Sequence, residues 1–216
     1  MARLQLRSAL RNPLNAIFGV DANVAVLREL VRHGGALTSG EIVERSGASK
    51  SSVRLGLIAL ETFGLVTSEG TRTTRLHRFN RQNCLAPAIE TVFQAEAQRF
   101  LLILETIREA PAEHAPEVLS LCLYGSAAAG RDRLDSDLDI LVVSSRTDVE
   151  GVLQAMRENL REPAERLGFV PNVVGLTGAD LERLKRERDP WWQGLQDTVI
   201  VLSGRHPNDL TRTKAG

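Results

Sequence analysis

Apolar residues recur at helical spacing through the first half of the chain and gather into short unbroken runs in the second. From Asp21, residues Val24, Val26, Leu27, Leu30 and Val31 form one stripe that stops at Gly34-Gly35, which predicts an amphipathic helix. Thr38-Ser-Gly-Glu41 has capping-box spacing and opens a short second helix ending near Gly47, where glycine can take the left-handed conformation. A third helix is predicted over 49–63, closed by Gly64, with Val53, Leu57, Ile58 and Leu60 inward and Lys50, Ser51 and Arg54 outward. Residues 65–67 and 73–79 read as two strands about the turn Glu69-Gly70-Thr71.

The pattern then changes scale. Ile89, Val92, Phe93, Ala97, Phe100, Leu101, Leu104 and Ile107 predict one long helix over 85–109, broken by the Pro-containing stretch 110–116. An apolar strand over 118–124 runs into Gly125-Ser126. After a charged loop, a second begins at Asp137-Leu-Asp139 and continues through Val143. A helix over 148–167, a strand over 169–176 and a short helix with Asp180 as its N-cap follow. Next come a helix carrying Trp191-Trp192, read as core or interface aromatics, and a strand over 198–202. The expected plan is an N-terminal domain (1–83), a connector helix (84–115), a C-terminal domain (116–208) and a tail (209–216).

Composition narrows the class. The 216 residues are 43% hydrophobic and 25% charged, the balance of a soluble globular chain, and no apolar run suits a membrane helix. The formal charge of zero conceals an asymmetry: residues 1–83 hold 12 basic and 6 acidic side chains, residues 84–216 hold 15 and 21. Cys84 and Cys122 stand 38 positions apart, and the four histidines form no i,i+4 pair, so neither a disulfide scaffold nor a histidine zinc site is expected. Reduced thiols and the lack of a signal-peptide pattern make a cytoplasmic protein the expectation.

In the basic half, three helices followed by a hairpin carrying Arg72, Arg75 and Arg78 resemble a winged helix-turn-helix domain. The resemblance implies a third helix presented to the DNA major groove and a wing along the backbone. Lys50, Ser51, Arg54, Arg72 and Arg75 are then the expected DNA contacts, because guanidinium and ammonium groups meet phosphates and guanine edges and hydroxyls hold phosphate oxygens. The long helix is an expected homodimer contact.

In the acidic half the chain reads Gly125-Ser126, ten residues, then Asp137-Leu-Asp139 between two strands. This G-S-x10-D-x-D pattern resembles the DNA polymerase beta-like nucleotidyltransferases, and most closely their minimal branch. The expected fold is α+β: an N-terminal winged helix, a long connector helix, and a C-terminal mixed sheet flanked by helices.

Carboxylates at i and i+2 of a strand share one face, so Asp137 and Asp139 can ligate a pair of Mg²⁺ ions. Gly125 allows close approach of phosphate, and Ser126 can offer its hydroxyl and N–H to it. The resemblance implies Asp137 and Asp139 as catalytic and metal-binding residues, with Gly125 and Ser126 holding a nucleoside triphosphate. ATP is the expected donor, and a protein, RNA or small-molecule hydroxyl the acceptor. Two departures from the family pattern stand out. Ala129 occupies the place of the usual Arg, with Arg131 as a possible substitute in binding the triphosphate. Active members also carry a third carboxylate on a following strand, where this chain offers Asn172 or Val174. An amide cannot act as general base, so the alternatives are a DNA-binding regulator whose second domain only binds nucleotide, or an interaction protein using both surfaces.

Overall fold

The computed structural model describes residues 14–71, 74–133, 135–196 and 198–211. The chain folds as two compact units, residues 1–97 and 98–216. Among the described residues no helix is long and apolar enough to cross a membrane.

The first unit begins with a short helix α1 (Leu14–Phe18), which the sequence pattern did not predict. Helices α2 (Asp21–His33), α3 (Ser39–Ser46) and α4 (Lys50–Thr62) follow, then strands β2 (Val66–Glu69) and β3 (Leu76–Phe79). The capping box is present: Thr38 Oγ1 accepts from the Glu41 N–H at 3.2 Å, and Glu41 accepts from the Thr38 N–H at 2.7 Å. Gly47 closes α3 at φ 67°, returning its N–H to the Val43 carbonyl. Helix α4 is capped by Ser49 Oγ, which accepts from the Ser52 N–H at 3.1 Å.

A three-residue strand β1 (Ala36–Thr38) completes a sheet of order β1-β3-β2. It is too short to show a period of its own and exists because the free edge of β3 pairs with it. The core joins Val26, Leu27 and Leu30 of α2, Ile42 of α3, and Val53, Leu57 and Leu60 of α4 to Leu65, Val66 and Phe79. Ile58, expected inward, is 49% exposed, because the inward face of α4 is carried by Val53, Gly56, Leu57 and Leu60. Gly56 lets α4 approach the backbone of α2 closely: a Cβ there would sit 3.2 Å from the Ala22 carbonyl oxygen. Leu60 has no exposed surface, so Leu60→Ala is expected to cost about 2–5 kcal/mol of unfolding free energy in urea titrations.

Helix α5 (Ala86–Glu109) serves both units. Its N-terminal half contributes Ala86, Ile89 and Phe93 to the first core, and Arg28 reaches Glu96 through two 2.7 Å hydrogen bonds. Its C-terminal half contributes Ile103 and Ile107 to the second core, and Arg99 caps the end of a later helix through the Leu167 and Gly168 carbonyls. The apolar stripe is therefore not buried throughout. Val92, Ala97, Phe100 and Leu101 are exposed, since each half buries only the positions facing its own unit.

In the second unit, a 3₁₀ turn (Ala112–Glu117) leads into β4 (Val118–Tyr124), a one-turn helix α6 (Gly125–Ala128) and β5 (Leu138–Ser144). Then come α7 (Glu150–Leu167), β6 (Pro171–Thr177), α8 (Gly178–Arg186), α9 (Pro190–Gln196) and β7 (Ile200–Gly204). The sheet order is β6-β5-β4-β7, with β5 and β6 parallel and the other pairs antiparallel. Both faces are covered, which is why β4 and β5 read as continuous apolar runs. Leu121, Leu123, Ile140 and Val142 pack with α5 and α7, while Cys122, Tyr124, Leu141 and Val143 pack with α8 and α9. Asp180 is not the N-cap of α8. Thr177 holds that position, and Asp180 is the third helical residue, closing a second capping box onto the Thr177 N–H at 3.0 Å.

Candidate functional site

β4 ends at Tyr124, and the chain turns at Gly125 with φ 74° to begin α6. The central pairing explains the need for glycine. Asp139 lies opposite Tyr124 on β4, which brings its carboxylate against Gly125: a Cβ there would collide with Asp139 Oδ2. A side chain at 125 would thus meet both left-handed backbone strain and the carboxylate.

On its other edge Asp139 is in register with Asn172 of β6, and Asn172 Nδ2 donates to Asp139 Oδ1 at 2.9 Å. Val174, the other candidate for the missing carboxylate, is in register with Leu141, one pleat further along. Of these two positions, Asn172 is therefore the one that stands beside Asp139. Asp139 is half-buried, whereas Asp137, immediately before β5, is exposed.

Ser126 is half-buried on α6, and its carbonyl accepts from the Arg131 N–H at 2.9 Å, curling the following loop. The Arg131 side chain is exposed. Asp137 lines a cavity of about 730 Å³ with Asp132, Asp135, Arg133 and Arg99, to which Gly125, Ser126 and Asp139 do not contribute. The structure thus gathers Gly125, Asp139 and Asn172 into one contact set and leaves Asp137 on the side of this cavity.

One aromatic residue, Tyr124, borders Asp139. Burial pushes the Tyr124 hydroxyl pKa up to about 12, and the nearby Asp139 charge adds to the shift. Trp191 packs edge-on against Tyr124 with ring centroids 5.8 Å apart. It is 39% exposed, while its neighbour Trp192 is 2% exposed, with an indole N–H that has no hydrogen-bond partner. Of the two residues read as core or interface aromatics, Trp192 is core and Trp191 is a partly exposed residue packed on Tyr124.

Among the described residues no cluster of three or more His, Cys, Asp or Glu side chains is arranged to hold a metal ion. Of the two carboxylates expected to ligate a cation, Asp139 accepts a hydrogen bond from the Asn172 amide, and Asp137 shares its cavity with Asp132 and Asp135.

In the first unit, Lys50, Ser51 and Arg54 are exposed at the start of α4, together with Leu55 and Ile58. The Ser51 hydroxyl is 2.9 Å from Ser49 Oγ. Arg75 is exposed at the wing, but its guanidinium pairs with Glu61 at 3.2 Å. Arg72 lies outside the described residues.

Residues 104–207 match the nucleotidyltransferase domain family, and residues 22–70 match the IclR helix-turn-helix domain family. No curated protein and no solved structure matches the chain. The first match runs from the second half of α5 to just past β7, and the second from α2 to the turn after β2. The chain is a winged helix-turn-helix domain joined to a nucleotidyltransferase domain.

Proposed function

We propose that the C-terminal domain transfers a nucleotidyl group from a nucleoside triphosphate, with ATP the expected donor, to a hydroxyl group. The acceptor would be a protein, an RNA or a small molecule, while the N-terminal domain binds DNA and gives the chain a place in transcription regulation. The observation that carries this reading is the fit of Gly125 against Asp139, a backbone bend kept free of side chain where a strand end meets a carboxylate. Gly125 would let the triphosphate approach the main chain, and the Ser126 hydroxyl would hold a phosphate oxygen.

Two carboxylates and an amide suit Mg²⁺, which takes few protein ligands and fills its shell with phosphate oxygens and water. Asp137 and Asp139 would hold it, and when bound it would offset the charge of the triphosphate and the departing pyrophosphate. A second ion would have only the Asn172 oxygen to add to these carboxylates. Arg131, exposed in the loop that follows, would meet a phosphate oxygen.

Asn172 supports a second reading, a regulator that binds nucleotide without transferring it. One experiment separates the two: full-length protein with Mg²⁺, cell lysate and α-labelled ATP, CTP, GTP or UTP in turn, against an Asp137→Asn/Asp139→Asn control. Label transfer above the control is expected. Saturable nucleotide binding with no transfer would replace the enzyme by the sensor.

DNA contact is tested by gel shift on the protein's own upstream sequence across a salt series. Lys50→Ala and Arg54→Ala are each expected to reduce the slope of log affinity against log salt by about one. Unchanged slopes would remove α4 from the interface.

A further inference from the structure

A line of hydrogen bonds crosses the N-terminal domain from Glu61 on α4 to Ser39 on α3. The Glu61 carboxylate is held by Arg75, whose Nη2 lies 3.2 Å from both oxygens. Ser68 Oγ donates its proton to Glu61 Oε1. Having done so, Ser68 Oγ can only accept from His77 Nδ1, 2.7 Å away. His77 therefore carries its proton on Nδ1, and its bare Nε2 accepts from the Ser39 hydroxyl at 2.9 Å. The other tautomer would require Ser68 to donate to Nδ1 and would leave its oxygen facing Glu61 with no proton between them.

His77 is 3% exposed, and burial lowers its proton affinity from the usual imidazole value of 6.5, so the ring is neutral at pH 7. Ser39 is exposed as the first residue of α3. Hydroxyl, imidazole and carboxylate-backed orienting group follow the order that activates a nucleophilic serine, with Ser68 interposed before the acid.

The transferase site has the opposite character. Asn172 stands beside Asp139 and cannot take a proton from an incoming hydroxyl. The position beside Asp139 thus offers an acceptor no base, and the N-terminal domain presents a hydroxyl that carries its own.

We propose that Ser39 is an acceptor of the nucleotidyl group, with His77 as the base. This rests on the C-terminal domain being an active transferase. Ser39 Oγ attacks the α-phosphorus, the Oγ–P bond forms, and the bond from that phosphorus to the β-phosphate oxygen breaks to release pyrophosphate. The Ser39 proton passes to His77 Nε2, giving an imidazolium that keeps its Nδ1–H on Ser68 and later loses the added proton to water. The product is a phosphodiester with one negative charge. A phosphoserine would carry up to two, close to the Glu41 carboxylate that already occupies the start of α3.

The test has two arms on the full-length protein. In the first, a biotinylated fluorophosphonate, which reports an activated serine without nucleotide, is expected to label the Ser39 peptide. In the second, α-labelled nucleotides with Mg²⁺ are expected to label the same peptide. Ser39→Ala removes both signals. His77→Gln lowers the rates by about 10²-fold or more and Ser68→Ala by about tenfold, all in variants shown by melting to be folded. Because burial lowers the proton affinity of His77, the labelling rate holds through the ordinary imidazole range and falls only at more acidic pH, where the ring is protonated and accepts no proton.

Transfer to lysate proteins with Ser39 unlabelled would overturn the proposal and leave the transferase reading intact. Fluorophosphonate labelling of Ser39 with no nucleotidyl transfer to any acceptor would remove the transferase reading and this acceptor with it. Labelling of Ser39 that persists in His77→Gln would overturn the role of the base.

Discussion

Gly125→Ala is expected to abolish nucleotidyl transfer, with a loss of about 10²-fold or more, while leaving the C-terminal domain folded. Two costs fall on this one methyl group. The backbone at φ 74° resists a Cβ, a strain of order 1–3 kcal/mol, and the new atom occupies the space of Asp139 Oδ2. The carboxylate must move, and displacing a reacting group by about 1 Å is enough for a hundredfold loss. Gly130→Ala is the matched control: Gly130 also has positive φ, at 64°, but a Cβ there meets nothing within 4 Å. Binding of Mg²⁺-nucleotide by titration calorimetry and transfer of α-label should both fall in Gly125→Ala. In Gly130→Ala only the melting temperature should drop. Equal activity in the two variants would show that the contact with Asp139 is immaterial.

Asn172→Asp is expected to act in the reverse direction. It installs a carboxylate in register with Asp139, where a hydroxyl acceptor would find a base, and general-base catalysis is worth about 10²–10⁴-fold. The gain should be largest for acceptors without a base of their own, in lysate or as free hydroxyl compounds, and smallest for Ser39. A cost accompanies it. The Asn172 amide now donates to Asp139 Oδ1, and replacing it with an acid turns that hydrogen bond into repulsion between carboxylates. Without divalent cation the variant should therefore melt lower than the wild type, and added Mg²⁺ should restore more stability to it than to the parent. A variant with neither gain in transfer nor a Mg²⁺-dependent melting shift would show that the missing carboxylate does not belong at this register position.

How far the sequence alone reached depends on whether a signal was local. Thr38-x-x-Glu41 and Gly47 behind α3 are short-range motifs, and each was readable because capping involves residues three or four apart. The same holds for G-S-x10-D-x-D, whose residues flank two strands with strong apolar patterns. Thr177 was missed as the N-cap of α8 because Thr and Asp three apart form a capping box that, without backbone angles, can be read from either end. Ile58 misled because periodicity averages over a helix, whereas the packing of α4 is set by one close approach at Gly56.

Long-range relations were out of reach. The parallel register that puts Asn172 rather than Val174 beside Asp139 depends on where β6 starts along β5. The line from Ser39 through His77 and Ser68 to Glu61 joins residues 38, 9 and 7 positions apart, on four elements whose pairing only the folded sheet determines. His77 left one trace in the sequence: a polar residue two before Phe79, on the inward side of an alternating strand.

The two tryptophans of the chain both sit on α9, within the nucleotidyltransferase domain, and this gives the molecule a built-in optical division. Tryptophan emission is blind to the helix-turn-helix domain, so its unfolding or DNA binding must be followed by other means. Within the second domain the two indoles differ. Trp192, enclosed by Cys122, Leu141 and Leu195 with no hydrogen-bond partner, should emit towards the blue and respond only when that core opens. Trp191, partly in water and edge-on to Tyr124 beside Asp139, should emit further to the red. An external quencher such as iodide therefore dims Trp191 first, and the emission that survives reports the closed core around Trp192 alone.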